Sequence, residues 1–236
     1  MHADRSTTII IPALDEEASI GAVVEELLEL GEERVDRVLV VDNGSTDRTA
    51  RVAREAGAEV LREPWRGYGA ACLRGLAAAA ARRPFAVAFL DADRADRPAD
   101  IGRLLDPLYA GEADLVVGSR VLGAAEPGAL TPQARFGNRL AVALIRLLHG
   151  HRYTDLGPFR AVRYDALERI AMRDRTFGWT VEMQVRALKR GLRVIEVPVD
   201  YRRRVGHSKI SGTVRGMVAA GSMILWTIGR EALGDR

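Results

Sequence analysis

Cysteine is nearly absent. Cys72 stands alone in 236 residues, which excludes a disulfide framework within the chain and any cysteine-built zinc site. Aromatic residues are scarce at 6%, too few for a platform that stacks single-stranded nucleic acid. Lysine is scarcer still: Lys189 and Lys209 are the only two among 35 basic residues. The rest are arginine, whose planar fork is the better phosphate clamp. No run reaches the ~18 apolar residues of a spanning helix, and MHADRSTTIIIPAL holds too short an apolar stretch for a secretory signal. These absences describe a chain of a reducing compartment, expected to be cytoplasmic.

What is present builds a core. Hydrophobic residues make up 47% and charged residues 28%, which excludes disorder. The net charge is only +3. Because the arginines are dispersed and acids cluster at strand ends, no nucleic-acid partner is expected.

Short apolar runs alternate with helical periodicity, the pattern of βαβ units around a parallel sheet. Strands are predicted at Thr7–Pro12, Arg37–Val41, Glu59–Leu61, Phe85–Leu90, Leu115–Val117 and Arg193–Val199. Helices are predicted at Glu16–Leu30, Thr46–Ala56, Tyr68–Ala81, Gln133–His149 and Trp179–Arg190, with others opened by Pro98 and lying within Val162–Arg173. The Gly/Ala/Pro-containing segment Gly123–Pro132 is long for a connector and is a candidate lid.

Acids gather where strands end: Asp15-Glu16-Glu17, Asp42, and Asp91-Ala92-Asp93. Ligands of open α/β sheets bind beyond those carboxyl ends. Each acid has a second reading as the cap of the next helix, but three such clusters together favour a shared ligand. Asp91 and Asp93 sit where a strand runs into a turn, placed to reach one hard divalent ion that keeps positions open for phosphate oxygens. Asp42 suits hydrogen bonding to a nucleobase, with Gly44 giving the tight turn after it. In Arg66-Gly67-Tyr68-Gly69, the glycines let backbone approach a ligand, though a plain turn explains them equally well. Tyr201–Lys209 carries Arg202, Arg203, Arg204 and Lys209 around Gly206, a basic loop suited to phosphate.

IPALDEE, VVDNGSTDRTA, RGYGAA, FLDADRADRP, VVGSR, TDLGPFRAVR, GWTVEMQVRALKRG and RRVGHSKISG, in this order, resemble glycosyltransferase family 2. The likeness runs from Thr7 to Gly212 and is nearest to the polyprenyl-phosphate (dolichyl-phosphate) sugar synthases. It implies a GT-A fold: an α/β, Rossmann-like, mostly parallel sheet flanked by helices. Residues 1–212 would form this domain and 213–236 a C-terminal helix.

The resemblance places Pro12, Ala13, Glu16, Asp42, Gly44, Gly69, Asp91, Ala92, Asp93, Arg203 and Lys209 at a nucleotide-sugar donor. It places Mg²⁺ or Mn²⁺ on Asp91 and Asp93, with Asp93 also counted as catalytic. Arg120, Arg135, Arg203 and Lys209 match positions that bind an acceptor phosphate. Two departures stand out. Ala95 occupies a position where the branch often has a metal-binding glutamine, leaving water or Asp96 to serve, and this raises an inactive member of the family as a rival reading. Met183 replaces the aspartate of a Glu-Asp pair that serves as base in many members.

A hydroxyl acceptor needs a general base, whereas a phosphate monoester is already ionised near neutral pH. The expected reaction is inverting transfer of a hexose from a GDP-mannose or UDP-glucose type donor to a polyprenyl phosphate. The alternative is a hydroxyl acceptor with Asp155 or Glu182 as base. A sugar-nucleotide pyrophosphorylase is disfavoured because PALDEE is acidic where such enzymes carry a Gly-rich, basic loop. The run Thr213–Gly229 holds one charge, Arg215. It suits a helix lying in a membrane interface, a helix packed on the body of the protein, or a contact in a homo-oligomer.

Overall fold

The computed structural model describes residues 5–206 and 214–233. Its centre is a seven-stranded sheet: β1 (Thr7–Ala13), β2 (Arg37–Asp42), β3 (Glu59–Arg62), β4 (Ala86–Phe89), β5 (Leu115–Ser119), β6 (Arg160–Arg163) and β7 (Val194–Pro198), in the order β3-β2-β1-β4-β6-β5-β7. β1, β2, β3 and β4 are mutually parallel, as are β5 and β7, while β6 runs antiparallel to both β4 and β5.

The central strands read as continuous apolar runs because helices cover both faces. Ile9, Ile11, Val38, Val40 and Ala88 face α1 (Ile20–Leu28) and α4 (Ile101–Tyr109). Ile10, Leu39, Val41, Val87 and Phe89 face α3 (Tyr68–Ala79), α6 (Tyr164–Ile170) and α7 (Trp179–Lys189). α2 (Thr49–Glu55) packs beside α1. A third cluster joins α5 (Pro132–His149), α7 and α8 (Val214–Leu233) through Ala141, Ile145, Val181, Val185 and Ile228. The C-terminal helix thus packs on α5 and α7.

Two differences from the sequence expectation stand out. The first helix begins at Ile20 rather than Glu16, because the acidic segment before it is bound to the loop after β2. β6 was not anticipated: RAVR has only two apolar residues, yet it lies inside the sheet. Its Arg160 is fully buried. The guanidinium binds the carbonyls of Gly157, Pro158 and Thr180 and Gln184 Oε1, so each of its nitrogens keeps a partner when buried.

Candidate active site

A cleft of about 450 Å³ opens at the carboxyl ends of β1, β2 and β4. Pro12 and Ala13 end β1 and Glu16 follows it, Asn43 follows β2, and Asp91, Ala92 and Asp93 follow β4. The opposite wall comes from Tyr68, Thr176, Phe177, Arg204 and Met223 of α8.

The acids divide by role. Asp15 Oδ1 accepts from the N–H and hydroxyl of Thr46, at 2.6 and 3.1 Å. Glu17 Oε2 accepts from the N–H and Nε of Arg48, at 2.9 and 3.0 Å. These two clasp the β1 and β2 loops together and leave Glu16 between them to face the cleft. Asp42 does not line the cleft; its Oδ1 accepts from Ser45 N at 2.9 Å, closing a turn in which Gly44 has φ +82°.

The carboxylates after β4 gather without enough positive charge. Burial, then the neighbouring Asp93, pushes the Asp91 pKa up to about 7, although the Tyr68 hydroxyl donates to Asp91 Oδ1 at 3.1 Å. Asp93 Oδ1 accepts from Ala95 N at 2.9 Å. Asp96 is 1% exposed. Beyond a weak contact from the Asp91 backbone, neither of its oxygens has a hydrogen-bond partner, and burial followed by Asp91 and Asp93 raises its pKa well above the carboxylate range. Orphaned carboxylate oxygens in such a place fit a cation. Among the described residues no three acids or histidines are disposed as a complete ligand set. Asp91 and Asp93 would therefore hold a metal together with oxygens of the substrate.

Among the described residues Arg204 is the cation in ion-pair contact with these acids. Its Nη2 lies 3.2 Å from Glu16 Oε1 and 3.3 Å from Asp93 Oδ2. The segment carrying it is strapped along the Asp93 turn, with Arg202 N donating to Ala95 O and Val205 N to Asp93 O. Extended backbone alternates its side chains, so Arg203 takes the other side, where its N–H binds Glu126 and its Nε binds Pro127 O. The candidate lid, Gly123–Pro132, whose last residue opens α5, is tied to the same strap through Glu126 N to Tyr201 O and Tyr201 N to Ala124 O.

The glycines before α3 serve a different contact. A Cβ on Gly69 would meet Asp174 O at 2.2 Å, and one on Gly67 would meet Arg175 O at 2.1 Å. Gly69 N and Ala70 N donate to Thr176 O and Arg175 O. These donors hold the 174–176 segment, which carries Thr176 into the cleft wall.

The sequence pattern of glycosyl transferase family 2 matches residues 8–171. The chain is a family 2 glycosyltransferase. It is 39% identical over 221 residues to an uncharacterized glycosyltransferase of Mycobacterium tuberculosis, covering 92% of this chain and 95% of that one. It is 31% identical over 226 residues to the polyprenol monophosphomannose synthase of Mycolicibacterium smegmatis, covering 88% and 82%. Its fold matches glucosyl-3-phosphoglycerate synthase of Mycobacterium tuberculosis, crystallised with Mn²⁺, UDP and glucosyl-3-phosphoglycerate. The TM-score is 0.79 over 97% of this chain and 80% of that one, at 23% identity. The fold is GT-A.

In this glycosyltransferase the expected acceptor residue Arg120 is bound to the candidate base Asp155. Arg120 grips Asp155 with Nε and Nη2 at 2.7 and 2.8 Å, and its N–H adds a third bond at 2.9 Å. Burial opposes the Arg120 charge, but the bonds and charge of Asp155, with Tyr201 and Asp96 beyond, raise its pKa. Glu196 of β7 fixes this pair from behind by accepting from Thr154 N and Asp155 N. Glu182 is fully buried. Its Oε2 accepts from Arg173 N and Asp174 N at 3.0 and 2.7 Å, and its Oε1 faces Arg186 and Arg230 of α8 at 3.4 and 3.5 Å. Arg135 is exposed on α5, and Lys209 lies outside the described residues. The sequence reading placed Arg204 in a phosphate-binding loop without singling it out from its neighbours, and it missed Glu196 as the support of Asp155.

Proposed function

We propose that the enzyme transfers a hexose from a GDP-mannose or UDP-glucose type donor to a polyprenyl phosphate. One observation carries this reading: both candidate bases are already engaged by partners within the protein. Asp155 is clamped by Arg120 and Glu182 by two backbone N–H groups and two arginines, while Met183 is fully buried. A phosphate monoester, with second pKa near ~6, needs no base at neutral pH. The polyprenol monophosphomannose synthase relative supports the acceptor class.

In the proposed reaction a phosphate oxygen bonds to the anomeric carbon. The bond from that carbon to the donor diphosphate breaks on the opposite face, inverting the centre, and a nucleoside diphosphate leaves. Asp91 and Asp93 would hold Mg²⁺ or Mn²⁺, which neutralises charge on the departing diphosphate. Pro12, Ala13 and Glu16 form the floor beneath the nucleotide, with Asp42 and Gly44 shaping the loop beside them. Arg204 sits beside the metal acids, where diphosphate oxygens exchange with Glu16 and Asp93 for its guanidinium. Arg120 keeps one guanidinium nitrogen, Nη1, outside its bonds to Asp155, and offers it with Arg135, Arg203 and Lys209 to the acceptor phosphate. A lipid acceptor places the enzyme at the cytoplasmic face of a membrane; no described helix is long and apolar enough to cross one.

The test supplies UDP-glucose or GDP-mannose, Mn²⁺ and polyprenyl phosphate in detergent. The expected result is one glycolipid for each nucleoside diphosphate released, with turnover lost in EDTA. Donor consumption without a lipid product, or full turnover in EDTA, would overturn the reading.

A further inference from the structure

We infer that the outer face of α5 is a docking surface for an anionic lipid bilayer. The inference rests on the lipid-acceptor reading for its purpose and on the geometry of one helix for its evidence.

α5 buries little of itself. Its fully buried side chains are Ala141 and Ile145, which pack on α7 and α8. At ~100° per residue, Phe136, Leu140, Ala143 and Leu147 fall within an arc of about 60° on the side opposite Ile145. Phe136 is 70% exposed, Leu140 40% and Leu147 78%. A continuous apolar stripe in water is a cost unless something covers it.

The charges beside the stripe say what that is. Arg135, Arg139 and Arg146 are exposed and lie together along one flank, within about 40° of one another on the same wheel. None makes an ion pair with a described residue, and PQARFGNRLAVALIRLLH contains no acid. An apolar stripe edged by arginine is the form of a helix lying in a bilayer interface, where side chains enter the acyl boundary and guanidinium groups meet anionic headgroups. A second copy docked through this face would bring three more arginines and no carboxylate from its own α5 to answer them.

The surroundings agree. On α8, which packs beside α5, Leu225 and Trp226 are 41% and 65% exposed. Near the start of α5, Asn138 binds Thr154 O and Leu156 N at 3.0 Å each. This ties the inner side of the helix to the segment that carries Asp155.

The experiment is co-sedimentation of the full chain with vesicles of phosphatidylcholine, with and without phosphatidylglycerol, with no donor or acceptor present. The wild type is expected to bind the anionic vesicles and to be released by salt. Leu140→Glu/Leu147→Glu should abolish binding, and Arg139→Gln/Arg146→Gln should weaken it about fivefold per arginine removed. Both variants should keep the wild-type melting curve and nucleoside-diphosphate affinity, which separates loss of docking from loss of fold. Three results would overturn the inference: equal binding to both vesicles, wild-type binding by the variants, or a wild-type dimer that Leu140→Glu/Leu147→Glu splits with no vesicle binding. Because vesicle binding is read without transfer, it can stand while the lipid-phosphate acceptor fails, and the reverse.

Discussion

Replacing Glu182 with glutamine separates a structural role from a catalytic one. Glu182 Oε2 receives the N–H groups of Arg173 and Asp174, and Oε1 faces Arg186 and Arg230. The amide oxygen of glutamine keeps the two backbone bonds. Its NH₂ then meets two guanidinium groups, donor against donor, and the buried negative charge is gone. A hydrogen bond to a charged group contributes ~1.5–3 kcal/mol, and the two contacts at Oε1 are long, so about 2–4 kcal/mol of stability should be lost. At roughly 2–4 °C per kcal/mol for a chain of this size, Glu182→Gln should melt about 5–15 °C lower than the wild type. Below that melting point, transfer to polyprenyl phosphate should stay within a few-fold of wild type. The assay is a calorimetric melt paired with initial rates at a temperature where both proteins are folded. An unchanged melting temperature with a rate loss near the 10²–10⁴-fold of a removed general base would refute the reasoning.

Three further outcomes follow from the site. Arg204→Ala should weaken nucleoside-diphosphate binding by roughly the ~1.5–3 kcal/mol of a charge-assisted bond; equal calorimetric affinity would remove Arg204 from the donor site. Asp91 has a folded pKa of about 7, above its unfolded value of ~3.9. The folded state therefore keeps a proton that the unfolded chain has lost, and stability falls as pH rises from ~4 to ~7. Asp91→Asn should accordingly raise the melting temperature of the metal-free protein at pH 8, by up to about 2–4 kcal/mol of stability, and leave it unchanged near pH 4; the opposite trend would deny the burial of that charge. Gly69→Ala should destabilise the fold, since its Cβ would sit 2.2 Å from Asp174 O, whereas Gly137→Ala, with nothing within 4 Å, should be neutral or stabilising by up to ~1 kcal/mol; denaturant titration compares the two.

The parallel strands were legible because TTIIIP, RVLVV and FAVAFL are apolar on both faces, a pattern that helices on both sides of a sheet require. β6 was not, because nothing local marks RAVR as a strand: the groups that satisfy its buried arginine include Thr180 and Gln184, 20 and 24 residues along the chain. The acid clusters were legible as a group but not one by one. Asp15 and Glu17 bind backbone of the β2 loop while Glu16 faces the cleft, a division set by the turn Asp15 makes at φ +50°. The arginine triplet likewise announced a phosphate-binding loop without disclosing which side chains face inward. That phase comes from pairing with residues 93–96, about a hundred residues earlier in the chain. Nothing local singles out Glu196 in VIEVP; only the register of β7 on β5 brings it behind Asp155.

The central claim is that the acceptor arrives already ionised, so that no side chain of the enzyme needs to remove a proton. The direct measurement compares initial rates of transfer to a polyprenyl phosphate and to the corresponding polyprenol, at equal concentration, in the same detergent, with the same donor and Mn²⁺. The account predicts glycosylation of the phosphate and none of the alcohol, because Asp155 and Glu182 are both held in hydrogen bonds away from any base role. Glycosylation of the alcohol as fast as the phosphate would contradict it.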